Sequence, residues 1–330
     1  MQRLSLFSLG LLTALAVGCG DDKGGTATEA GSTGAPTTTG GATDSASGTT
    51  AETPTTTEAA STGPAGMTAA DGEACMANAD CASLSCVKFF DAQTDAVCEA
   101  APAGGNTRFT GTVFDFVTGT AVAGAELRVV GALSALQDPA NAMGIVSATS
   151  DAMGRIDVTT TSPLNAGIGV VGLVGGGDFY TTATGLASPF MGTTMYPPLN
   201  GIHDIWGVPA AKLTEWSGYL MTDADPNVVA AQPLGDNGGV IGLVRQAGGA
   251  GVAGAVVKST KADSTALIRY LNEDGLGFNA DATGASGIFV LMAPGLAEGF
   301  TVEVGGQPTD LTGTAGSAKN AAFVLIFNVP

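Results

Sequence analysis

One short pattern occurs twice in the chain and constrains the fold more than any other feature. Residues 122–125 and residues 252–255 both read Val-Ala-Gly-Ala. In each copy an apolar run precedes the pattern, and a glycine turn signal with a second apolar run follows it. These flanking segments are residues 109–115 and 150–158 in the first copy, and residues 240–244 and 283–290 in the second. Landmarks that recur in the same order at nearly the same offset predict two related domains.

The residues between these landmarks favour strands and tight turns. The chain contains 50 glycines, and only 13% of its residues are charged. Its apolar runs are short and rich in Val and Ile, as sandwich strands are, and glycine supplies the positive φ that tight turns require. We therefore predict an all-β fold. Residues 208–220 are the exception, because Leu213, Trp216 and Leu220 recur at helical spacing. This helix either packs on a sandwich or binds a partner through Trp216.

The layout of the two copies resembles the carboxypeptidase regulatory-like domain, which is a transthyretin-like (prealbumin-like) β-sandwich. The resemblance rests on the strand before the turn, on the Val-Ala-Gly-Ala pattern, and on the later turn at Gly154 or Gly287. It covers residues 107–175 and 238–330. It implies two tandem β-sandwich domains that act as structural or recognition modules and carry no catalytic residues.

The amino-terminal segment predicts export and lipid attachment. Arg3 precedes an apolar run over residues 4–17, which is too short to span a bilayer and fits the core of a secretory signal peptide. Residues 15–19 (Leu-Ala-Val-Gly-Cys) resemble the lipobox of bacterial lipoproteins, which implies that Cys19 carries diacylglycerol and anchors the mature chain. Gly20 then implies the outer membrane, because Asp at that position retains lipoproteins at the inner membrane in some Gram-negative bacteria.

Changes in composition predict where the parts of the chain begin and end. Residues 20–70 are almost entirely small, polar or acidic, so they cannot bury enough apolar surface to offset the entropy cost of ordering. The predicted parts are a signal peptide and lipidation site over 1–19, a disordered linker over 20–70, a Cys-rich disulfide module over 71–104, a first β-sandwich with a helix-containing connection over 105–237, and a second β-sandwich over 238–330.

Four cysteines cluster in the predicted disulfide module: Cys75, Cys81, Cys86 and Cys98. An even and clustered count in an exported protein predicts two disulfide bonds, for which three pairings are possible. The alternative is a zinc site with four thiolate ligands. No C-x-x-C pair and no nearby histidine supports that site, so we predict disulfide bonds, no metal and no cofactor.

Charge and motif content narrow the function. The formal net charge is −18, and an acidic surface repels phosphate backbones, so we expect no nucleic-acid partner. His203 is the single histidine, and the G-x-S-x-G motif of many serine hydrolases is absent from the sequence. Asp223 and Asp225 begin a calcium-loop pattern, but the Gly and Glu required at its sixth and twelfth positions are missing.

Three functions remain, in decreasing order of preference. The first is a non-enzymatic cell-envelope lipoprotein that is bound to the membrane through Cys19 and displays its sandwiches for structural or adhesive contact with an envelope protein or polysaccharide. The second is a carbohydrate- or peptidoglycan-binding lipoprotein, which needs several exposed aromatic side chains on one surface. The third is a hydrolase that uses His203. The aromatic residues that would discriminate between the first two are Trp206, Trp216, Tyr180, Tyr196, Tyr219 and Tyr270.

Overall fold

The computed structural model describes residues 68–247 and 249–330. The predicted signal peptide, the lipidation site Cys19 and all but the last three residues of the predicted linker lie outside the described residues. Strands predominate in the described part, and the predicted all-β fold is confirmed. None of the helices described there has the length and apolar character needed to cross a membrane.

The described residues form a two-stranded sheet, a large mixed sheet and a three-stranded sheet. The strands are β1 (Cys86–Val87), β2 (Val97–Cys98), β3 (Arg108–Asp115), β4 (Glu126–Gly131), β5 (Gly144–Thr149), β6 (Arg155–Thr159), β7 (Val170–Gly176), β8 (Phe179–Ala187), β9 (Asp204–Pro209), β10 (Val240–Gln246), β11 (Ala255–Ser259), β12 (Ile268–Leu271), β13 (Phe278–Asn279), β14 (Ile288–Leu291), β15 (Glu298–Val304), β16 (Gln307–Ala315) and β17 (Ala322–Val329). The α-helices are α1 (Ala132–Gln137), α2 (Ala210–Leu220), α3 (Pro226–Ala230) and α4 (Ala262–Ala266).

The two copies of the repeat share four strand pairings. β3 pairs antiparallel with β6 and parallel with β9, and β10 pairs in the same way with β14 and β17. The antiparallel ladder β4–β7–β8 likewise corresponds to the ladder β11–β15–β16. The copies differ outside these four pairings, since β5 pairs with β4, whereas β12 pairs with β14 and with the additional strand β13. The repeat seen in the sequence is therefore also a repeat of strand order.

A hydroxyl side chain fixes the Val-Ala-Gly-Ala turn in both copies. The Ser150 hydroxyl donates to the Val122 carbonyl at 2.6 Å and accepts the N–H of the residue after Gly124 at 2.9 Å. Thr283 makes the same two bonds to the equivalent residues of the second copy, at 2.6 and 2.9 Å. Gly124 and Gly254 have φ of 72° and 73°, a left-handed conformation that favours glycine. The two turns are therefore equivalent, as predicted.

Strand β17 joins the two copies into one sheet. It runs parallel to β10 on one side and, over residues 322–324, parallel to β8 on the other. The core follows the sheet, because one buried cluster contains Leu173 and Ala183 of the first copy together with Phe289 and Phe327 of the second. The domain boundary at residue 238 stays a prediction, which cooperative melting can test.

Helix α2 lies within the span that its apolar spacing predicts. It begins two residues after the predicted start and buries Leu213, Trp216 and Leu220. The Trp216 ring packs edge-on against Phe116 and Phe278. Trp216 is therefore a core residue, and the interpretation of this helix as one that packs on a sandwich is the correct one.

Two disulfide bonds hold the Cys-rich module together. The structure bonds Cys75 to Cys86 and Cys81 to Cys98, which selects one of the three possible pairings. All four cysteines are buried and form the small core of this module. Their sulfurs are bonded to one another, so they are not free to act as zinc thiolates. A segment this short has too little apolar core to fold without such links.

The shared sheet and core predict one cooperative unfolding transition for the described body. Gly124→Val and Gly287→Val should each shift that transition as a whole, because both place a β-branched residue at positive φ. We expect Gly124→Val to lower the free energy of unfolding by about 1–3 kcal/mol. Gly287→Val should cost more, since a Cβ there would also meet the carbonyl oxygen of Val244.

Calorimetry of the full chain measures both effects. Gly201→Val is the matched control, because the backbone of Gly201 is not in the left-handed region and the space that a Cβ would occupy there is open. Two resolved transitions, of which Gly124→Val moves only one, would contradict the shared body and support separate domains.

Candidate functional site

A buried ion pair joins the two copies of the repeat. Asp204 begins β9 and Arg245 lies in β10, with Oδ2 and Nη2 2.5 Å apart and side chains that are 7% and 12% exposed. The Arg245 Nε donates to Asn328 Oδ1 at 2.7 Å, and the guanidinium carbon lies 5.3 Å from the ring centre of Trp206. Arginine suits this place because its planar group can serve a carboxylate, an amide and an aromatic face at once.

Asp91 connects the disulfide module to this ion pair. Its Oδ1 accepts the backbone N–H of His203 at 2.8 Å, and its own backbone N–H donates to Asp204 Oδ1 at 2.9 Å. Burial, assisted by the negative charge of Asp204, raises the pKa of Asp91 from 3.8 to about 6. The contact between the module and the sheet therefore contains a carboxyl group that titrates in mildly acidic solution.

Two further polar contacts hold the module against the first copy. Arg108 in β3 donates to Glu99 of the module at 2.6 Å and to Asp157 at 2.7 Å. The Asn78 side-chain amide donates to the carbonyls of Leu199 and Asn200, each at 3.2 Å. The module is thus bonded to the sheet at three separate places.

A cavity of about 660 Å³ lies where the module and the two copies meet. We call it the aromatic cavity. Its aromatic lining consists of Phe90, Phe114, Phe116 and Trp206, and its charged and polar lining includes Asp91, Thr118, Arg245, Ser286 and Asn328. The Trp206 indole N–H is buried and has no hydrogen-bond partner within the described part of the chain. The cavity therefore combines apolar walls with one paired cation, Arg245, and with the Asp91 carboxyl group, which accepts a backbone N–H.

His203 precedes Asp204 of the aromatic cavity and is hydrogen-bonded within the body. Its Nδ1 lies 3.0 Å from the Thr110 carbonyl oxygen, which can only accept, so Nδ1 carries the proton. Burial lowers the pKa of His203 and favours the neutral ring. A hydrolase would need an accessible nucleophile here, yet the hydroxyl that contacts His203 is that of Thr110, which is fully buried.

The aromatic residues singled out from the sequence do not form an exposed platform. Trp206, Trp216 and Tyr270 are buried, and Tyr180, Tyr196 and Tyr219 are only partly exposed. Three of the four aromatic residues that line the aromatic cavity are instead phenylalanines, which are ordinarily core residues. Asp91 and Arg245 also lack any motif that would mark them as neighbours. No pattern in the sequence therefore indicated this site.

Asp223 and Asp225, which begin the calcium-like pattern, face a cation of the chain itself. Arg269 Nε lies 2.7 Å from Asp223 Oδ2, and its Nη2 lies 3.7 Å from Asp225 Oδ2. The hydrogen bond from Arg269 lowers the pKa of Asp223. The Asp225 side chain also accepts the N–H of Asn227 and caps α3. These carboxylates are thus balanced by an arginine and by backbone.

An uncharged groove of about 470 Å³ lies elsewhere on the body. Helix α1 and strands β7, β8, β16 and β17 contribute to its lining, and none of the described residues that line it is charged. Ile168, Ile202 and Leu296 line the groove and are exposed. The segment between its lining residues Ser188 and Pro197 carries three more exposed apolar side chains, Phe190, Met191 and Met195, of which Met191 is 100% exposed. Exposed apolar side chains therefore lie both in the groove lining and on a segment that connects two of its lining residues.

Comparison with known proteins yields no family. No family model matches the chain, and no curated protein matches it. Shaft pilin SpaA from Lactobacillus rhamnosus GG is 9% identical over 67% of this chain and 96% of its own, with a TM-score of 0.21. A streptococcal ancillary pilin is 14% identical over 74% of this chain and 69% of its own, with a TM-score of 0.20.

A hydroxyquinol 1,2-dioxygenase from Pseudomonas putida DLL-E4 is 16% identical over 33% of this chain, with a TM-score of 0.21, and the chain spans 58% of that enzyme. The chain spans 34% of the Bacillus anthracis TIE protein, at 9% identity over 68% of this chain and a TM-score of 0.19. Similarities at these TM-scores carry no argument about function. The fold assignment rests on the strands of the chain itself.

The raised pKa of Asp91 predicts a defined pH dependence of stability. A carboxyl group whose pKa is higher in the folded state favours folding most when it is protonated. Its contribution is therefore complete below about pH 4 and is lost as the pH rises through about 6. Asp91→Asn stays neutral and keeps the oxygen that accepts the His203 N–H. We expect it to be more stable than the wild type at pH 7, by about 1–3 kcal/mol, and to lose this advantage at pH 4.

Urea denaturation of both chains at pH 4, 5, 6 and 7 measures the difference. Asp95→Asn is the matched control, because Asp95 lies in the same module and is exposed. A difference between wild type and Asp91→Asn that does not change with pH would show that Asp91 is not a buried titrating group.

Proposed function

We propose that the chain is a non-enzymatic lipoprotein of the bacterial cell envelope whose β-sandwiches make structural or adhesive contact with another envelope component. The observation that carries this proposal is the uncharged groove with its exposed apolar side chains. Such a surface favours a protein partner over a polysaccharide, because sugar hydroxyl groups need polar partners when they are buried.

The grouping of the apolar side chains matters more than their number. Single exposed apolar residues are ordinary on a protein surface, whereas a contiguous patch marks a binding surface. Three exposed apolar residues line this groove, Ile168, Ile202 and Leu296, and three more, Phe190, Met191 and Met195, lie on the segment that connects its lining residues Ser188 and Pro197. Burial of such surface is favourable by roughly 25 cal/mol per Å². Because the described lining is uncharged, binding of a partner would not require the dehydration of a charged side chain there.

Three buried titratable groups support a non-enzymatic role, since each of the three is used within the body. His203 bonds to the backbone of Thr110, and Asp204 pairs with Arg245. Glu298 is buried, and hydrogen bonds from backbone, serine and lysine groups outweigh the effect of burial and lower its pKa to about 2. None of these three groups is left free to move a proton for a substrate.

Sequence features support the location that we propose. The lipobox-like segment ends at Cys19, and Gly20 favours the outer membrane. The predicted linker would let the body stand roughly 40 Å from the anchored cysteine. The two disulfide bonds are typical of proteins that mature outside the cytoplasm.

The alternative of a carbohydrate- or peptidoglycan-binding lipoprotein receives less support. Sugar platforms need exposed aromatic faces, and the two tryptophans are both buried. Phe90, on the module, is the exposed aromatic residue of the aromatic cavity. One exposed ring does not make a platform for a chain of sugars.

The proposed anchor predicts the effect of removing one thiol. Cys19→Ala should move the protein from the membrane fraction to the soluble fraction and leave the body folded, because the acyl chains attach at that residue. Fractionation after a salt wash, followed by melting of the released protein, measures both effects. Gly18→Ala keeps a small residue before the cysteine and serves as the control. A Cys19→Ala chain that still sediments with washed membranes would contradict lipid anchoring.

The proposed contact predicts where a partner can be trapped in living cells. A photo-crosslinking amino acid at Leu296 or at Ile168 should form an adduct with the same envelope protein, because both residues line the groove and are exposed. The same amino acid at Leu276, which is exposed on a different turn, is the control. Mass spectrometry identifies the adduct. Loss of all adducts, or equal adducts from Leu276, would remove the groove as the contact surface.

A further inference from the structure

Lys88 is a buried cation without a carboxylate partner. It follows β1 directly and is 8% exposed. Its Nζ makes one long hydrogen bond, of 3.5 Å, to the backbone carbonyl of Asp91. Within the described part of the chain, no ion pair includes it. The buried arginines differ, since Arg245 pairs with Asp204 and Arg269 pairs with Asp223.

An ammonium group buried without a partner is costly, because it gives up hydration and gains little in return. Proteins usually avoid this cost by pairing the charge. Lys88 forms no such pair, although its charge acts on the nearby Asp80. Backbone hydrogen bonds from residues 76 and 77 are the main cause of the lowered pKa of Asp80, and the positive charge of Lys88 adds to their effect. An anion from outside the described chain would supply the missing partner.

Space for such an anion lies next to Lys88. A cavity of about 540 Å³ between the disulfide module and the first copy is lined by Lys88, Asn78, His203 and Ile202, among others. Asp91 and Asn328 line both this cavity and the aromatic cavity. The two cavities therefore share part of their lining, and we call them together the cleft: an ammonium lies in one part and phenylalanine rings in the other.

We propose that this cleft binds a small ligand that carries one carboxylate beside an aromatic or bulky apolar group. The carboxylate pairs with the ammonium of Lys88. The apolar group enters the aromatic cavity beside Phe90 and Phe114. This binding site requires neither the proposed lipid anchor nor an occupant of the uncharged groove, with which its cavity beside Lys88 shares Gly201 and Ile202.

The charge of the cleft selects a monoanion. Lys88 supplies one positive charge that belongs to no ion pair within the described part of the chain, whereas Arg245 is paired with Asp204. The Asp91 carboxyl group lines the same cavity, and the Asp80 carboxylate lies close enough to Lys88 to interact with its charge, so both oppose a second negative charge on the ligand. A phosphate dianion is therefore a poor ligand, and a neutral amide would leave the ammonium unpaired. Both the carboxyl terminus of a peptide and a free aromatic acid have the required chemistry.

Binding to the full chain tests the proposal. The probes are acetyl-Gly-Phe with a free carboxyl terminus, the same peptide as its amide, phenylacetate, and inorganic phosphate. We expect acetyl-Gly-Phe to bind, and its amide and phosphate to bind at least tenfold more weakly, because a charge-assisted bond is lost or opposed. Comparable binding of phenylacetate would identify a free acid as sufficient, whereas much weaker binding would identify the peptide terminus.

Variants separate the site from nonspecific binding. Lys88→Met keeps the length of the side chain and removes its charge, so it should weaken acetyl-Gly-Phe binding at least tenfold. Its melting temperature should be equal to or above that of the wild type, because a buried unpaired charge is gone. Lys319→Met removes an exposed lysine and should bind as the wild type does.

The proposal is overturned if the wild type binds neither carboxylate probe at millimolar concentration. It is also overturned if the amide binds as well as the acid, or if Lys88→Met is folded and binds unchanged. The comparison of acid with amide on the wild type needs no variant, so the test stands even if Lys88→Met does not fold.

Discussion

The ion pair between Asp204 and Arg245 ties together three parts of the chain that are distant in sequence. The carboxylate belongs to β9 and the guanidinium to β10, and the backbone N–H of Asp91 brings the disulfide module to the same carboxylate. A pair buried this deeply adds little net stability, because both ions lose their hydration. Removal of either partner, however, would leave an uncompensated charge in the interior, at a cost of about 3–5 kcal/mol. The pair thus couples the three parts more than it stabilises any one of them.

A short segment ahead of β9 separates two surfaces of unlike chemistry. Gly201 and Ile202 line both the uncharged groove and the cavity beside Lys88. The buried Asn200 fixes this segment, because its side-chain amide bonds to the N–H and the carbonyl of Thr110 at 2.9 and 2.8 Å. The Asn200 amide thus makes the two hydrogen bonds to the Thr110 backbone that a neighbouring strand would otherwise make. An occupant of either surface would therefore contact the same rigid wall.

The repeat was predictable because it depends on local chemistry, whereas contacts between distant residues were not predictable. The left-handed glycines Gly124 and Gly254 can be inferred from the sequence because the turn, its hydroxyl and the next strand are close together. The pairing of β17 with β8 joins residues about 140 positions apart, and an apolar β-branched strand does not specify its neighbour. The disulfide pairing likewise depends on distances that spacing does not determine. The pKa of Asp91 depends on Asp204, 113 residues away, so sequence reasoning could not find the site around it.

The position of β17 has a consequence for the order in which the protein can be made. Among the described strands it is synthesised last, yet its place is between β10 and β8. During synthesis both neighbours emerge first and have open edges, which are templates for pairing with another chain. Closure of the sheet cannot precede the arrival of residues 322–329, and contacts over such sequence separations form slowly. The interval between emergence and closure is when two nascent copies could exchange this strand, so domain swapping through β17 is the characteristic misfolding hazard of this topology.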